Sequence, residues 1–252
     1  MAKDEVAPHT RRDLLLIAAS GAAALSLAWR RGALAQTAGA PPLKIAIIGA
    51  GREGSALGTV LVKAGHPVMF SSRHPEELKD LVAGLGPLAR AGTVAQAIDF
   101  GDVVMIVVPY TAMEQIGKDY AGALDKKPLI IDVSNPIARR DGDELVNWVN
   151  EQGGAGLATA KLLPGAHLVR AFNAIGSVKL GEDAHRPGEP VGVPIAGDDP
   201  NAIAIASSLI REMGFEPVAV GGLAMGKYLV PGTPLGGEHT PAEIRQIAAN
   251  LH

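Results

Sequence analysis

The sequence predicts a doubly wound α/β fold, and three observations carry that prediction. Segments such as residues 103–108 and 129–133 are apolar throughout, without the alternation of a half-exposed strand, as in a parallel sheet covered on both faces. Such segments alternate with helical patterns along most of the chain. The first of them runs into "GAGREG", Gly49 to Gly54, a glycine-spaced turn between a strand and a helix.

The elements follow in order. Residues 44–48 are read as the first strand, 52–64 as a helix and 67–71 as the second strand. Residues 75–83 are helical, with Pro75 suited to a first turn. A short helix at 93–100 precedes the strand at 103–108, a helix at 111–121 and the strand at 129–133. Helices at 143–150 and 158–163 lead to a strand at 167–172. A strand, helix and strand at 191–196, 200–213 and 215–220 form an extension, followed by a short helix at 223–229. In "TPAEIRQIAAN", Thr240 is a cap, Pro241 comes next and Glu243 stands three after the cap, so 240–250 reads as a capped helix. "GEDAHRPGEP", Gly181 to Pro190, is expected to be an exposed loop. The expected division is a nucleotide-binding domain over 43–174 and a small α/β extension over 175–252.

The glycine turn selects a ligand. Gly49 permits the sharp turn, Gly51 lets a pyrophosphate approach the backbone, and Gly54 lets helix and strand pack closely. Free N–H groups at the helix start then face the phosphates. Nicotinamide sites without a 2′-phosphate usually carry Asp or Glu about 20 residues on. Here the second strand ends in "FSSRHPEE", with Ser71, Ser72 and Arg73 at its tip and no carboxylate before Glu76. Hydroxyls and a guanidinium suit a phosphate, so NADP(H) is expected, with Ser72 and Arg73 on its 2′-phosphate.

Three further stretches follow strands at the expected ligand edge. "VVPYTAMEQ" brings Val108, Pro109 and Tyr110, where Tyr110 serves either packing or function. "DVSNPI" brings Ser134, Asn135 and Pro136, and "RAFNAIG" brings Asn173 to where a hydride acceptor would sit. Tyr110 and Asn173 are the candidates near hydride transfer. No nucleophile–base triad, carboxylate pair or metal-ligand spacing is found. There are no cysteines, and the 7 histidines are scattered and read as surface or turn residues. The net charge of −3 gives no sign of a nucleic-acid partner.

The leader is a separate feature. "TRRDLLL" opens an apolar run from Leu14 to Trp29, followed by Arg30, Arg31 and Ala33-Leu34-Ala35 before Gln36. The run is shorter than the about 20 residues a spanning helix needs. Its pattern is that of a cleavable export signal and resembles the twin-arginine type. Residues 1–35 are thus expected to be a signal read by the twin-arginine export machinery, with 36–42 a linker and a periplasmic destination. The alternatives are a cytoplasmic protein or one tethered by an uncleaved leader.

The blocks "KIAIIGAGREGSALG", "GHPVMFSSR", "DVVMIVVP", "LIIDVSNP", "LVRAFNAIG", "PIAGDDPNAIAIASSLIREMGF" and "AMGKYLVPGTPL" run in the order seen in one family. The chain resembles the NADP oxidoreductases that use the deazaflavin coenzyme F-420 and their bacterial relatives. The resemblance implies Ala50, Gly51, Arg52 and Glu53 at the phosphate turn and Ser72 and Arg73 on the 2′-phosphate. It implies Pro109 and Ala112 on the nicotinamide side, and Ala171 and Asn173 near the deazaflavin, where the archaeal enzymes carry a histidine. It also implies direct hydride transfer between the two cofactors, by positioning and exclusion of water, and a homodimer. Glu77 departs from the family, which tends to have a basic residue there, and so does the segment after Leu235. Three readings stay open: transfer to a deazaflavin or flavin-like acceptor, reduction of a small imine or carbonyl, and non-enzymatic NADP binding or sensing.

Overall fold

The computed structural model describes residues 41–251. The leader at 1–35 and most of the linker lie outside the described residues. The chain begins with β1 (Ile45–Ile48), α1 (Arg52–Lys63), β2 (Val68–Ser71), α2 (Lys79–Leu85) and β3 (Ala89–Gly92). It continues with α3 (Val94–Phe100), β4 (Val103–Ile106), α4 (Met113–Leu124), β5 (Ile130–Asp132) and α5 (Ala138–Asp141). Next come α6 (Asp143–Glu151), α7 (Ala155–Leu162), β6 (Leu168–Arg170) and α8 (Ser177–Asp183). β7 (Gly192–Gly197), α9 (Pro200–Glu212), β8 (Glu216–Gly221) and α10 (Pro241–Ala248) complete it. Short 3-10 helices occupy Pro75–Leu78, Tyr110–Ala112 and Leu223–Tyr228.

The strands form one sheet in the order β3-β2-β1-β4-β5-β6-β7-β8. All pairs are parallel except β6 with β7. The order turns back between β1 and β4, and a crevice opens there beyond the strands' carboxyl ends. This is the Rossmann-like NAD(P)-binding arrangement, with one antiparallel pair that admits the C-terminal strand–helix–strand unit into the same sheet.

Both faces of the sheet are buried, which accounts for strands apolar at every position. Ile45 and Ile47 pack with Leu57, Leu61 and Phe70 on one face. Ala46 and Ile48 pack with Val104, Ile106 and Ile116 on the other. Helix starts obey local chemistry. Thr240 Oγ1 accepts from the Glu243 N–H at 3.2 Å, and Glu243 Oε2 accepts from the Thr240 N–H at 2.8 Å, as the sequence predicts. Thr93 and Gln96 form a second such box.

Four expectations need correction. β3, "ARAG", has no apolar run and an exposed Arg90; its conformation comes from pairing with β2. The short α5 and α8 are also absent from the sequence reading. Gly181 to Asp183 end a helix that buries Leu180 and Asp183, so that part of the expected exposed loop is packed. His66 is buried, not a surface residue: its Nδ1 meets the Leu43 carbonyl at 3.0 Å and its Nε2 meets Glu212 at 2.9 Å.

Candidate functional site

The cleft sits where the fold places it, and its first wall is the glycine turn. Gly49 has φ +100°, and a Cβ there would lie 2.3 Å from the Val107 carbonyl oxygen. At Gly54 a Cβ would lie 2.0 Å from the Gly49 oxygen, so the helix start and the strand end touch backbone to backbone. Gly51 differs: a Cβ there would meet nothing within 4 Å. It caps α1 without a side-chain hydrogen bond, leaving the first-turn N–H groups to a ligand. An open cradle over a capless helix start fits a pyrophosphate.

The cleft encloses about 400 Å³. Its lining includes Gly51, Arg52, Glu53 and Gly54 after β1, Val108 and Pro109 after β4, Asn135 after β5, Asn173 and Ser177 after β6, and Pro231. Four strand ends thus converge as the sequence predicts. Gly49, Ala50, Ala112, Pro136 and Ala171 are not in the lining. Gly49 and Ala50 form the turn beneath it, where both backbone N–H groups donate to the Ser71 carbonyl at 3.3 and 3.0 Å. Ala171 is fully buried.

Ser71 is placed differently from expectation, and Tyr110 takes the packing reading of the two left open. Ser71 is fully buried and its hydroxyl donates to the Ile47 carbonyl at 3.1 Å, so it braces the turn and does not face a phosphate. Tyr110 is buried among α6 and α7. Its hydroxyl meets Thr159 Oγ1 at 2.9 Å and the Ala155 carbonyl at 3.3 Å. Burial, with the nearby Asp132 charge, pushes that hydroxyl well above the ordinary tyrosine range, so it stays protonated and engaged in these bonds. Ser72 and the exposed Arg73 stand at the tip of β2, away from the cleft lining, and Ser72 Oγ accepts from the His74 N–H at 3.1 Å.

A buried polar network beneath the cleft escaped the sequence reading. Asp132 and Arg170 are register partners on β5 and β6, and Arg170 Nη1 donates to Asp132 Oδ2 at 2.5 Å. Nη1 also donates to the Ser134 carbonyl at 3.0 Å, and Nη2 donates to Asn135 Oδ1 at 3.1 Å. Thr159 donates to Asp132 Oδ2 at 2.9 Å, and the Ser134 N–H donates to Oδ1 at 2.8 Å. Asn135 Nδ2 then donates to the Asn173 carbonyl at 2.6 Å, and Asn173 Nδ2 donates to the Asp132 carbonyl at 3.1 Å. One ion pair therefore fixes both loops that carry Asn135 and Asn173. The available signal was a lone charge ending each of two apolar strands. Arg140 adds an outer tie to the Asn135 carbonyl at 2.6 Å and pairs with Asp141 at 2.8 Å. Burial raises the Asp141 carboxyl, but its bonds from Arg140 and the Ile137 N–H outweigh that and hold it below the usual range.

Phe172 opens the Asn173 loop with φ +61°, a conformation that costs about 1–3 kcal/mol in a non-glycine residue. Its ring packs edge-on against Phe215 at 5.7 Å. Glu53 is the remaining unusual group. Burial lifts its carboxyl to about 7, against the Ser177 backbone N–H and the Arg52 charge. Its Oε1 is buried with no hydrogen-bond partner, as is Asn173 Oδ1. Among the described residues no group of His, Cys, Asp and Glu could hold a metal ion.

This geometry agrees with known proteins. Residues 44–136 match the family of NADP oxidoreductases, coenzyme F420-dependent. Over 197 residues the chain is 31% identical to the metalloreductase STEAP3 of Rattus norvegicus, covering 77% of this chain and 36% of that relative. A solved hypothetical protein from Sinorhizobium meliloti is similar, with 27% identity, a TM-score of 0.66, and coverage of 79% of this chain and 95% of that one. A solved putative F420-dependent NADP reductase from Arthrobacter has 20% identity and a TM-score of 0.64, covering 73% and 87%, and shares the fold. The chain spans about a third of the metalloreductase it matches. The fold is that of the dinucleotide-binding domains of such proteins.

Proposed function

We propose that the chain is an NADP(H)-dependent oxidoreductase that passes hydride between the nicotinamide and a conjugated heterocycle of deazaflavin or flavin type bound beside it. The observation that carries this is the lining itself. Arg52, Glu53 and Arg140 are its only ionisable residues, and guanidinium groups do not exchange protons near neutrality. Hydride transfer between two heterocycles needs mainly alignment, which this lining supplies, whereas reduction of an imine or carbonyl would rest on Glu53 as the single carboxyl there. NADP(H) supplies the hydride; the protein binds, orients and shields. The Gly51 cradle would take the pyrophosphate, Ser72 and Arg73 the 2′-phosphate, and Val108, Pro109, Asn135 and Asn173 would surround the nicotinamide end.

The twin-arginine leader adds a proposal about place. That pathway accepts folded cargo, so nucleotide would be loaded before export and released slowly, over minutes or longer. The paired arginines, the apolar run and Ala33-Leu34-Ala35 support this.

The test is stopped-flow mixing of NADPH-loaded protein with a deazaflavin, a flavin or a cyclic imine. Oxidation of NADPH by a heterocyclic acceptor is expected. Turnover of the imine alone would overturn the acceptor class, and tight binding without any turnover would favour a sensing role.

A further inference from the structure

Glu53 is the one side chain in the cleft lining able to exchange a proton near neutrality. It stands in the first turn of α1, yet its carboxyl reaches the Ser177 backbone N–H at the start of α8. α1 and α8 pack together, and α8 follows the loop beyond β6. The contact therefore carries the carboxyl toward the β6 side of the switch point, away from Arg73 at the end of β2. A dinucleotide with its 2′-phosphate at Arg73 extends across the switch point toward that same side. The carboxyl is held there with one oxygen, Oε1, shut away from solvent and unpartnered.

We propose that the Glu53 carboxyl is coupled to the oxidation state of the nicotinamide, holding its proton beside the neutral reduced ring and releasing it beside the oxidised, positively charged ring. The inference rests on the nucleotide reading of the cleft. A desolvated carboxylate with one oxygen unpartnered is costly, so the neutral acid is favoured until a cation arrives to compensate the charge. Burial already brings the free carboxyl to about 7, so both forms are within reach. Arg52, on its own helix, is the charged neighbour acting on it. On α8, Lys179 pairs with Glu182, and Asp183 pairs with Arg186. α2 brings Lys79 and Asp80, and across the cleft Arg140 is paired with Asp141.

The step balances. The C–H bond of the reduced ring breaks, and the hydride takes both electrons and one proton to the heterocyclic acceptor. The Glu53 O–H bond breaks and its proton goes to solvent, from which the reduced acceptor takes its second proton. The ring gains one positive charge and Glu53 one negative charge, so the net charge of the site is unchanged.

The test is calorimetric titration of the full chain with NADP⁺ and with NADPH from pH 6 to pH 8, in buffers of differing ionisation enthalpy, for wild type and Glu53→Gln. The wild type should release protons on binding NADP⁺ and take them up on binding NADPH. The ratio of the two affinities should move toward NADP⁺ by up to about tenfold per pH unit around pH 7. The 2′-phosphate titrates in both nucleotides and cancels in the ratio. In Glu53→Gln the ratio should be flat. A flat ratio with no differential proton exchange in the wild type, which needs no variant, would overturn the coupling. So would an unchanged slope in Glu53→Gln. Failure of either nucleotide to bind the wild type would overturn the functional reading and the coupling with it.

Discussion

Arg170 and Asp132 face one another from adjacent strands, 2.5 Å apart, with both side chains wholly buried beneath the cleft. The pair does more than neutralise itself. Through Ser134, Asn135 and Asn173 it sets the position of two loops in the site wall. Rigidity under the proposed nicotinamide end is what a positioning mechanism requires.

Removing one partner strands the other charge in the interior. Asp132→Ala should lose about 3–5 kcal/mol of stability in chemical denaturation. The double variant Asp132→Leu, Arg170→Met should recover most of that loss yet bind NADPH weakly, because Asn135 Oδ1 has lost its donor. Full recovery of binding would show that the pair does not position the site.

The glycine turn separates folding from binding. Gly54→Ala pushes a methyl group onto the Gly49 carbonyl and should lose about 1–3 kcal/mol or more. Gly51→Ala meets open space and should keep wild-type stability within about 0.5 kcal/mol. Its NADPH affinity should nevertheless fall at least about tenfold, since the methyl group enters the phosphate cradle. Equal affinity in titration would remove the pyrophosphate from that position.

Much of this was legible in the sequence for a physical reason. A sheet buried on both faces writes itself as uninterrupted apolar strands, and the sharp turn demands Gly49 and Gly54. β3 was not legible, because pairing with β2 and not its own residues makes it a strand. Asp132 and Arg170 are separated by 38 positions, and no local pattern announces a cross-strand partner. Glu53 occupies a free position of the glycine motif, so its burial and its contact with Ser177 emerge only when α8 is folded against α1.

Tyr110 gives a prediction in the opposite direction from a catalytic tyrosine. Tyr110→Phe removes a buried hydroxyl bonded to Thr159 and should cost about 0.5–1.5 kcal/mol. The rate of hydride transfer should stay within about twofold. A hundredfold loss of kcat with normal stability would return Tyr110 to the chemistry.

The pH dependence of stability follows from Glu53. Its carboxyl is raised from 4.5 to about 7 on folding, so the native state holds more protons between those values. Stability attributable to this group therefore falls as pH rises through that window, and the penalty is complete above about 7. Glu53→Gln should be progressively more stable than wild type from pH 5 to pH 8. A difference that stays constant across that range, measured by urea unfolding, would contradict the shift.

The most direct measurement is titration of the purified chain with NADPH and NADH, for wild type and Arg73→Ala. One charge-assisted bond to phosphate contributes about 1.5–3 kcal/mol, or about 10- to 100-fold in affinity. Wild type should bind one NADPH per chain at least about tenfold more tightly than NADH, and Arg73→Ala should lose that preference while its NADH affinity barely changes. No NADPH binding, or equal losses for both nucleotides in Arg73→Ala, would contradict the assignment of this cleft to NADP(H).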